Sequence, residues 1–129
     1  MSVKIPVPVG ELFDKISILE VKLDNISDPV KRSHIYDELH ELHYVALTFD
    51  QTKISALCSQ LKKVNQALWN IEDDIRKLEA RKQFDDSFIQ LARTVYYHND
   101  RRSELKREIS ILLGSELLEE KSYKEYKDV

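Results

Sequence analysis

The chain has few of the residues that disulfides, phosphate-binding loops and tight hairpins require. It contains one cysteine, Cys58, so no disulfide can form within the chain. Its two glycines, Gly10 and Gly114, stand far apart, and neither lies in a glycine-rich sequence that could cradle a phosphate. The same scarcity disfavours β-hairpins, which commonly turn at Asn-Gly or Asp-Gly. These absences exclude the P-loop and Rossmann routes to nucleotide binding.

An excess of basic charge and long apolar runs are also missing. The chain has 20 lysines and arginines against 23 acidic residues, for a net charge of −3. Nucleic-acid-binding proteins usually carry a basic excess, because Lys and Arg supply most of their affinity for phosphate. No segment approaches the roughly 20 apolar residues that span a bilayer, and the first residues lack the apolar run of a signal peptide. We therefore expect a cytoplasmic protein that binds neither nucleic acid nor membrane.

Apolar residues recur at steps of three and four, which predicts amphipathic α-helices. The 129 residues fit a single domain. Four helices are predicted at about 10–26, 29–49, 52–82 and 88–114, between an extended arm (1–9) and a polar tail (115–129). Asp28 suits the N-cap of the second helix, and Asp50 or Thr52 suits that of the third. The predicted fold is an all-α antiparallel four-helix bundle with a long coiled-coil-like helical hairpin.

The third helix carries the clearest apolar stripe. Its members are Ile54, Leu57, Leu61, Val64, Leu68, Ile71, Ile75 and Leu78. A stripe of this length packs at shallow crossing angles, as in coiled coils and up-down bundles. The third and fourth helices should therefore form an antiparallel hairpin that turns near Phe84.

Polar residues interrupt the stripe of the fourth helix at His98 and Arg102, and rule-breaking positions often have functional roles. The antiparallel register collects nine polar or aromatic side chains on one side of the hairpin: Asn65, Trp69, Glu72, Asp73, Arg76, Tyr96, Asn99, Asp100 and Arg102. They could line a ligand crevice in which the two arginines hold a carboxylate or phosphate. The alternative is a buried ion-pair network that fixes helix register.

No catalytic or metal-binding arrangement stands out in the sequence, so we assign no catalytic residue, metal or cofactor. His40 and His43 lie near Asp37, but the di-iron bundle pattern needs Glu-x-x-His on two helices, so they are interpreted as surface residues. Two functions remain open. The first is a non-enzymatic helical interaction module, a dimeric adaptor or regulator. The second is a small ligand-binding protein or enzyme that uses the crevice for an anionic small molecule.

The predicted hairpin is longer than the first two helices by roughly ten residues, or about 15 Å at 1.5 Å per residue. Apolar residues at its tip, Ile75, Leu78, Phe84 and Phe88, would then stay uncovered. Such a patch usually marks an interface, which predicts a homodimer. Alternatively, the arm or the tail folds back over the tip. In the tail, we expect Leu118 and Tyr123 to dock on the bundle and the residues after about Lys124 to be mobile.

Four segments carry a resemblance to a known family: GELFDKISILEVK (10–22), VNQALWNIEDDIR (64–76), FDDSFIQLARTVYYHNDRR (84–102) and EEKSY (119–123). On these segments, the chain resembles an uncharacterised family of small all-helical bacterial proteins. The resemblance implies that the segments matter together, and members of that family are met near genes for surface-polysaccharide assembly. It implies no particular activity.

Overall fold

The computed structural model describes residues 1–122 and 124–126. In this range the chain forms four α-helices, one short 3₁₀ turn and no strand, which confirms the all-α class. The helices are α1 (Val9–Asn25), α2 (Pro29–Ala46), α3 (Ser55–Ala80) and α4 (Asp86–Leu112), and the 3₁₀ turn is Gln51–Lys53. None of the helices in the described ranges is both long enough and apolar enough to cross a membrane.

Carboxylate caps set where several of these elements begin. The Asp28 side chain accepts a hydrogen bond from the Lys31 amide at 3.1 Å, which confirms the cap predicted for α2. Asp85 caps α4 in the same way. Asp50 accepts from the Thr52 amide and thereby caps the 3₁₀ turn. As a result α3 begins only at Ser55, later than the sequence predicts.

Helix α1 is the common packing partner, because it contacts α2, α3 and α4, while α3 and α4 also pack along each other. The core is formed by buried apolar side chains from all four helices and from the segment between α2 and α3: Phe13, Ile16, Leu19, Ile35, Leu39, Ala46, Ile54, Leu61, Leu105 and Ile109. Phe13 also meets Phe49 edge to face at 6.1 Å. The helices therefore position polar side chains of α1, α3 and α4 side by side.

Gly10 allows α1 and α4 to approach closely. A Cβ at this position would lie 2.0 Å from the carbonyl oxygen of Lys106, well inside van der Waals contact. Two hydroxyls near the end of α4 also accept the first amides of α1. The Val9 amide donates to Ser115 Oγ at 3.0 Å, and the Gly10 amide donates to Ser110 Oγ at 2.8 Å. The N-terminus of α1 is thus capped by a distant part of the chain.

Helices α3 and α4 extend beyond the buried core. These helices have 26 and 27 residues, against 17 and 18 for α1 and α2. Among the described residues, buried apolar side chains stop at Ile71 on α3 and resume at Leu105 on α4. The tip between them is defined as Ile75, Leu78, Phe84 and Phe88. Three of these side chains are half-buried, and that of Phe84 is 56% exposed.

The arm and the tail do not cover this tip in the described part of the chain. The side chains of Val3 and Ile5 in the arm are exposed. The tail instead runs back along the middle of α4, where Tyr126 donates a hydrogen bond to Asp100 at 2.7 Å. Mobility was expected after Lys124, whereas Tyr126 is packed in place. The expectation for Tyr123, and that for 127–129, lies outside the described residues.

Candidate functional site

A buried carboxylate joins three helices at the centre of the candidate site. Asp14 of α1 is 1% exposed. Arg102 of α4 donates to its two oxygens from Nε at 2.9 Å and from Nη2 at 2.5 Å. Asn65 of α3 donates from Nδ2 to Asp14 Oδ1 at 3.0 Å and to Ser17 Oγ at 2.6 Å. We call these four residues, Asp14, Ser17, Asn65 and Arg102, the Asp14 network.

The Asp14 network keeps Arg102 charged and rigid. The hydrogen bonds to Asp14 raise the pKa of the Arg102 guanidinium further, although partial burial acts to lower it. A bidentate arginine–carboxylate pair also fixes the plane of the guanidinium. Arg102 is therefore held in place as a cation without needing any further partner.

Two polar atoms of the network remain available. The bonds of Arg102 to Asp14 use Nε and Nη2, and those of Asn65 use Nδ2. In the described ranges, neither Arg102 Nη1 nor Asn65 Oδ1 takes part in a hydrogen bond, and Oδ1 is not sealed from solvent. Both residues line a groove on the surface. The groove is thus lined by two fixed side chains, each of which keeps one polar atom that the network does not use.

The groove has a volume of about 600 Å³ and lies where α1, α3 and α4 meet. Seven of the nine side chains collected by the sequence line it, together with apolar residues of α1 and α3: Asn65, Trp69, Glu72, Asp73, Arg76, Asn99 and Arg102, with Ile18, Val21 and Leu68. The α3 members recur at steps of three and four, so they share one helix face. The other two predicted residues, Tyr96 and Asp100, do not line this groove.

The second cation of the groove, Arg76, is loosely held. Its Nη2 lies 3.4 Å from Glu72 Oε2, and the two side chains are 78% and 53% exposed. Exposed ion pairs of this kind contribute only about 0–1 kcal/mol. Arg76 can therefore exchange Glu72 for a ligand at little cost. Arg102, in contrast, pairs with Asp14 and with none of the acids that the sequence suggested.

Tyr96 and Asp100 lie on the other side of α4, in a cavity of about 920 Å³ that we call the tail cavity. Most of its lining comes from α4, and the rest comes from the amino end of α1 and from six tail residues: Glu119, Glu120, Lys121, Lys124, Glu125 and Tyr126. Asn99 and Arg102 line both the groove and the tail cavity. The two spaces therefore share one wall, and together they contain all nine predicted residues.

One end of the tail is fixed by ion pairs. Lys106 lies 2.7 Å from Glu11 and 2.9 Å from Glu119, and Arg107 lies 2.7 Å from Glu120. Hydrogen bonds from Lys121 and Lys106 lower the pKa of Glu119 to about 2. Burial acts to lower the pKa of Lys106, but the carboxylates of Glu11 and Glu119 outweigh it and raise it. This end of the tail is held by charge.

The other end of the tail is fixed by a tyrosine. The ring of Tyr126 packs edge-on against Tyr96 at 4.8 Å and against Tyr97 at 5.3 Å. Burial and the hydrogen bond to Asp100 raise the pKa of Tyr126 to about 12. Tyr126 therefore stays a neutral donor to Asp100 at any physiological pH. We call the Tyr126–Asp100 contact the latch.

The sequence interpretation did not include Asp14, Ser17 or the tail residues in the site. A signal for the first two exists, because Gly10, Asp14, Ser17 and Val21 recur at steps of four, three and four on α1. All four are buried, so this stripe faces the other helices as much as the leucine stripe does. The tail offers no such signal, since its polar residues follow no period.

The histidines of α2 and the cysteine lie apart from the groove and the tail cavity. His40 and His43 are exposed on α2. Within residues 1–122 and 124–126, no three histidine, cysteine or acidic side chains come close enough together to hold a metal ion. Cys58 is half-buried, and burial raises the pKa of its thiol, which makes it a poor nucleophile.

Comparison with known proteins identifies the family of the chain. The sequence profile of a family of unknown function, DUF6165, matches residues 1–127. This range includes all four helices, the groove and the described part of the tail. No curated protein and no solved structure matches the chain. The chain therefore belongs to DUF6165, a family of unknown function.

Proposed function

We propose that this chain is a small helical ligand-binding protein, and that its groove takes a small molecule bearing a phosphate or a carboxylate. The observation that carries the proposal is the state of Arg102. Its guanidinium is fixed on Asp14 through Nε and Nη2, while Nη1 has no hydrogen bond to the described part of the chain. A pre-organised arginine binds an oxyanion without losing further side-chain entropy.

The other residues of the groove suit a larger polar or aromatic molecule that carries one anionic group. Arg76 is a second, exchangeable cation on the same groove. Trp69 offers a ring face for stacking, and Asn99 offers an amide. Glu72 and Asp73 accept hydrogen bonds from hydroxyl or amino groups and repel a second anionic group. We assign no reaction to these residues.

Trp69 is the only tryptophan of the chain, so its fluorescence reports on the groove alone. We expect adenosine monophosphate to change this fluorescence in a saturable way, and adenosine, which lacks the anion, to have little effect. Arg76→Gln should weaken binding about tenfold, which corresponds to about 1.4 kcal/mol. Lys77→Gln removes the neighbouring cation outside the groove and should leave binding unchanged. Equal binding of adenosine and its monophosphate would reject an anion site.

A second function is favoured by the hairpin tip. We propose that the chain also acts as a helical interaction module, an adaptor or regulator that dimerises through the tip. Support comes from the half-buried apolar side chains beyond Ile71, which no other described element covers. This proposal includes the antiparallel, coiled-coil-like hairpin that the sequence predicts for α3 and α4. It is supported by Arg101 of α4, which donates to Gln60 near the start of α3 at 2.6 Å.

A further inference from the structure

The groove carries its fixed cation and its acids at two separate places. Arg102 and Asn65 both donate to Oδ1 of Asp14, so the guanidinium lies level with Asn65 on α3. Glu72 and Asp73 follow Asn65 by seven and eight positions on the same helix. At a rise of about 1.5 Å per residue, the two acids lie about 10–12 Å further along the helix axis.

The described residues around the groove carry more negative than positive charge. Arg102 is neutralised by Asp14, and Arg76 lies 3.4 Å from Glu72. Asp73 also lines the groove, and no cation pairs with it among residues 1–122 and 124–126. A ligand that carried only an anion would add to the excess of negative charge, whereas a ligand that also carried a cation would balance it.

Apolar and aromatic side chains line the groove together with these charges. Trp69 lies between Asn65 and the two acids on the same face of α3, and Ile18, Val21 and Leu68 contribute apolar surface. Such side chains pack well against methylene groups. A ligand whose two charges are on neighbouring carbons would reach only one of the two charged places, because about 10 Å separates them.

We propose that the groove binds a zwitterion whose carboxylate and ammonium are separated by a short run of methylenes, as in an ω-amino acid. This inference rests on the proposed ligand-binding function and names the class of the ligand. The carboxylate accepts from Arg102 Nη1, which the bonds to Asp14 do not use. The ammonium donates to Glu72 and Asp73, and the methylenes lie against Trp69.

The separation of the two places sets the size of the ligand. With a hydrogen bond of about 3 Å at each end, about 4–6 Å remain between the charged groups of the ligand. The exposed pair of Arg76 and Glu72 is weak, so the ammonium can replace Arg76 beside Glu72. A small ω-amino acid such as 4-aminobutanoate has the required spacing.

The charge separation is tested with four probes of similar size, with Trp69 fluorescence as the readout. 4-Aminobutanoate carries its two charged groups at opposite ends, butanoate lacks the ammonium, and butylamine lacks the carboxylate. 2-Aminobutanoate is an isomer that carries both groups close together. At equal ionic strength we expect 4-aminobutanoate to give a saturable change, and each of the other three to bind at least tenfold more weakly.

The acidic end of the groove is tested by the double variant Glu72→Gln/Asp73→Asn, which keeps the size of both side chains. It removes the partners of the ammonium, so it should weaken binding of 4-aminobutanoate about tenfold and should not weaken binding of butanoate. Asp74→Asn/Glu79→Gln removes two exposed acids of α3 outside the groove and is the matched control. Circular dichroism checks that both variants keep their helices. Unchanged binding of 4-aminobutanoate to the first variant overturns the zwitterion.

The remaining outcomes separate this inference from the proposed function. If butanoate, butylamine or 2-aminobutanoate binds as tightly as 4-aminobutanoate, the zwitterion is overturned, and the comparison of adenosine monophosphate with adenosine decides the anion site independently. A response to adenosine monophosphate without a response to 4-aminobutanoate overturns the zwitterion and leaves the anion site standing. No response to either compound overturns both.

Discussion

Asp14 and Arg102 share two hydrogen bonds across the interface of α1 and α4, yet they differ sharply in exposure. The carboxylate is 1% exposed, whereas the arginine side chain is 29% exposed. Asp14 therefore depends on Arg102, because burying a carboxylate without a neighbouring cation costs free energy. Arg102 is exposed to solvent on one side, so it can bind a ligand as well as neutralise Asp14. This asymmetry makes a structural pair usable as part of a binding site.

The dependence of Asp14 on Arg102 predicts a large effect of one substitution. Arg102→Met leaves Asp14 buried without its cation and should lower the free energy of unfolding by about 3–5 kcal/mol. The double variant Asp14→Asn/Arg102→Met removes both charges and keeps an acceptor for Asn65, so it should recover most of this loss. Urea unfolding followed by circular dichroism measures both. If the double variant loses as much free energy of unfolding as its two single variants together, Asp14 and Arg102 do not depend on each other.

The close contact at Gly10 predicts that alanine is harmful there. Its Cβ would meet the backbone of Lys106 and Ser110 Oγ, so α1 and α4 must separate, and overpacking of this kind costs about 1–3 kcal/mol. Gly114→Ala is the comparison, since that glycine has φ +68° and open space around it. Its cost should stay near the roughly 1–2 kcal/mol of a left-handed non-glycine residue. Thermal unfolding of the two variants distinguishes the cost of the steric contact at position 10 from the cost of the backbone conformation at position 114.

Acid should release the charged end of the tail. The pKa of Glu119 is lowered from 4.5 to about 2, so the ionised form is favoured in the folded chain. The stabilising contacts of Glu119 with Lys121 and with Lys106 are therefore complete above pH 4.5 and are lost as the pH falls towards 2. The carboxyl carbon of Glu119, followed by NMR, should titrate far below the usual range. A midpoint near the ordinary value would show that the tail is not anchored there.

Glu119→Gln serves as the control for this titration. It keeps the size of the side chain and removes the charge, so tryptic cleavage within the tail should become faster at neutral pH, and no carboxyl group should titrate at this position. Asp100 lies at the other attachment point of the tail, so Asp100→Asn should instead act on the latch. The two variants therefore test the two attachment points of the tail one at a time.

The exposed tip predicts self-association. At micromolar concentration we expect light scattering to give the mass of a dimer, because the tip leaves apolar side chains half-buried in one copy. Phe84→Glu should shift the mass to that of a monomer. Ile111→Glu changes an equally exposed apolar residue at the opposite end of α4 and should not. A monomeric unmodified chain would refute the interface.

The fold class was predictable because its signal is local. Apolar spacing determines that a segment is helical, and Asp28 determines where α2 begins. The beginning of α3 was not predictable from Asp50 alone. That carboxylate fits an α-helix and a 3₁₀ turn equally well, and only the folded chain selects between them.

The groove was partly predictable for a related reason. The spacing from Asn65 to Arg76 places these side chains on one face of α3, and the short turn after α3 limits the register of α4. The turn does not fix how α4 rotates about its axis, so Tyr96 and Asp100 were placed in the groove although they face the tail. Asp14 comes from another helix, and no local signal relates its rotation to the hairpin.

The hydroxyls of Ser110 and Ser115 at the amino end of α1 have a consequence for synthesis. The amides of Val9 and Gly10 find their acceptors about one hundred residues later, as the separations of 106 and 100 positions show. On the ribosome, α1 therefore emerges long before the groups that complete it. Of these four helices, α1 is completed only by residues in and after α4, so these contacts form after translation of α4 rather than in chain order.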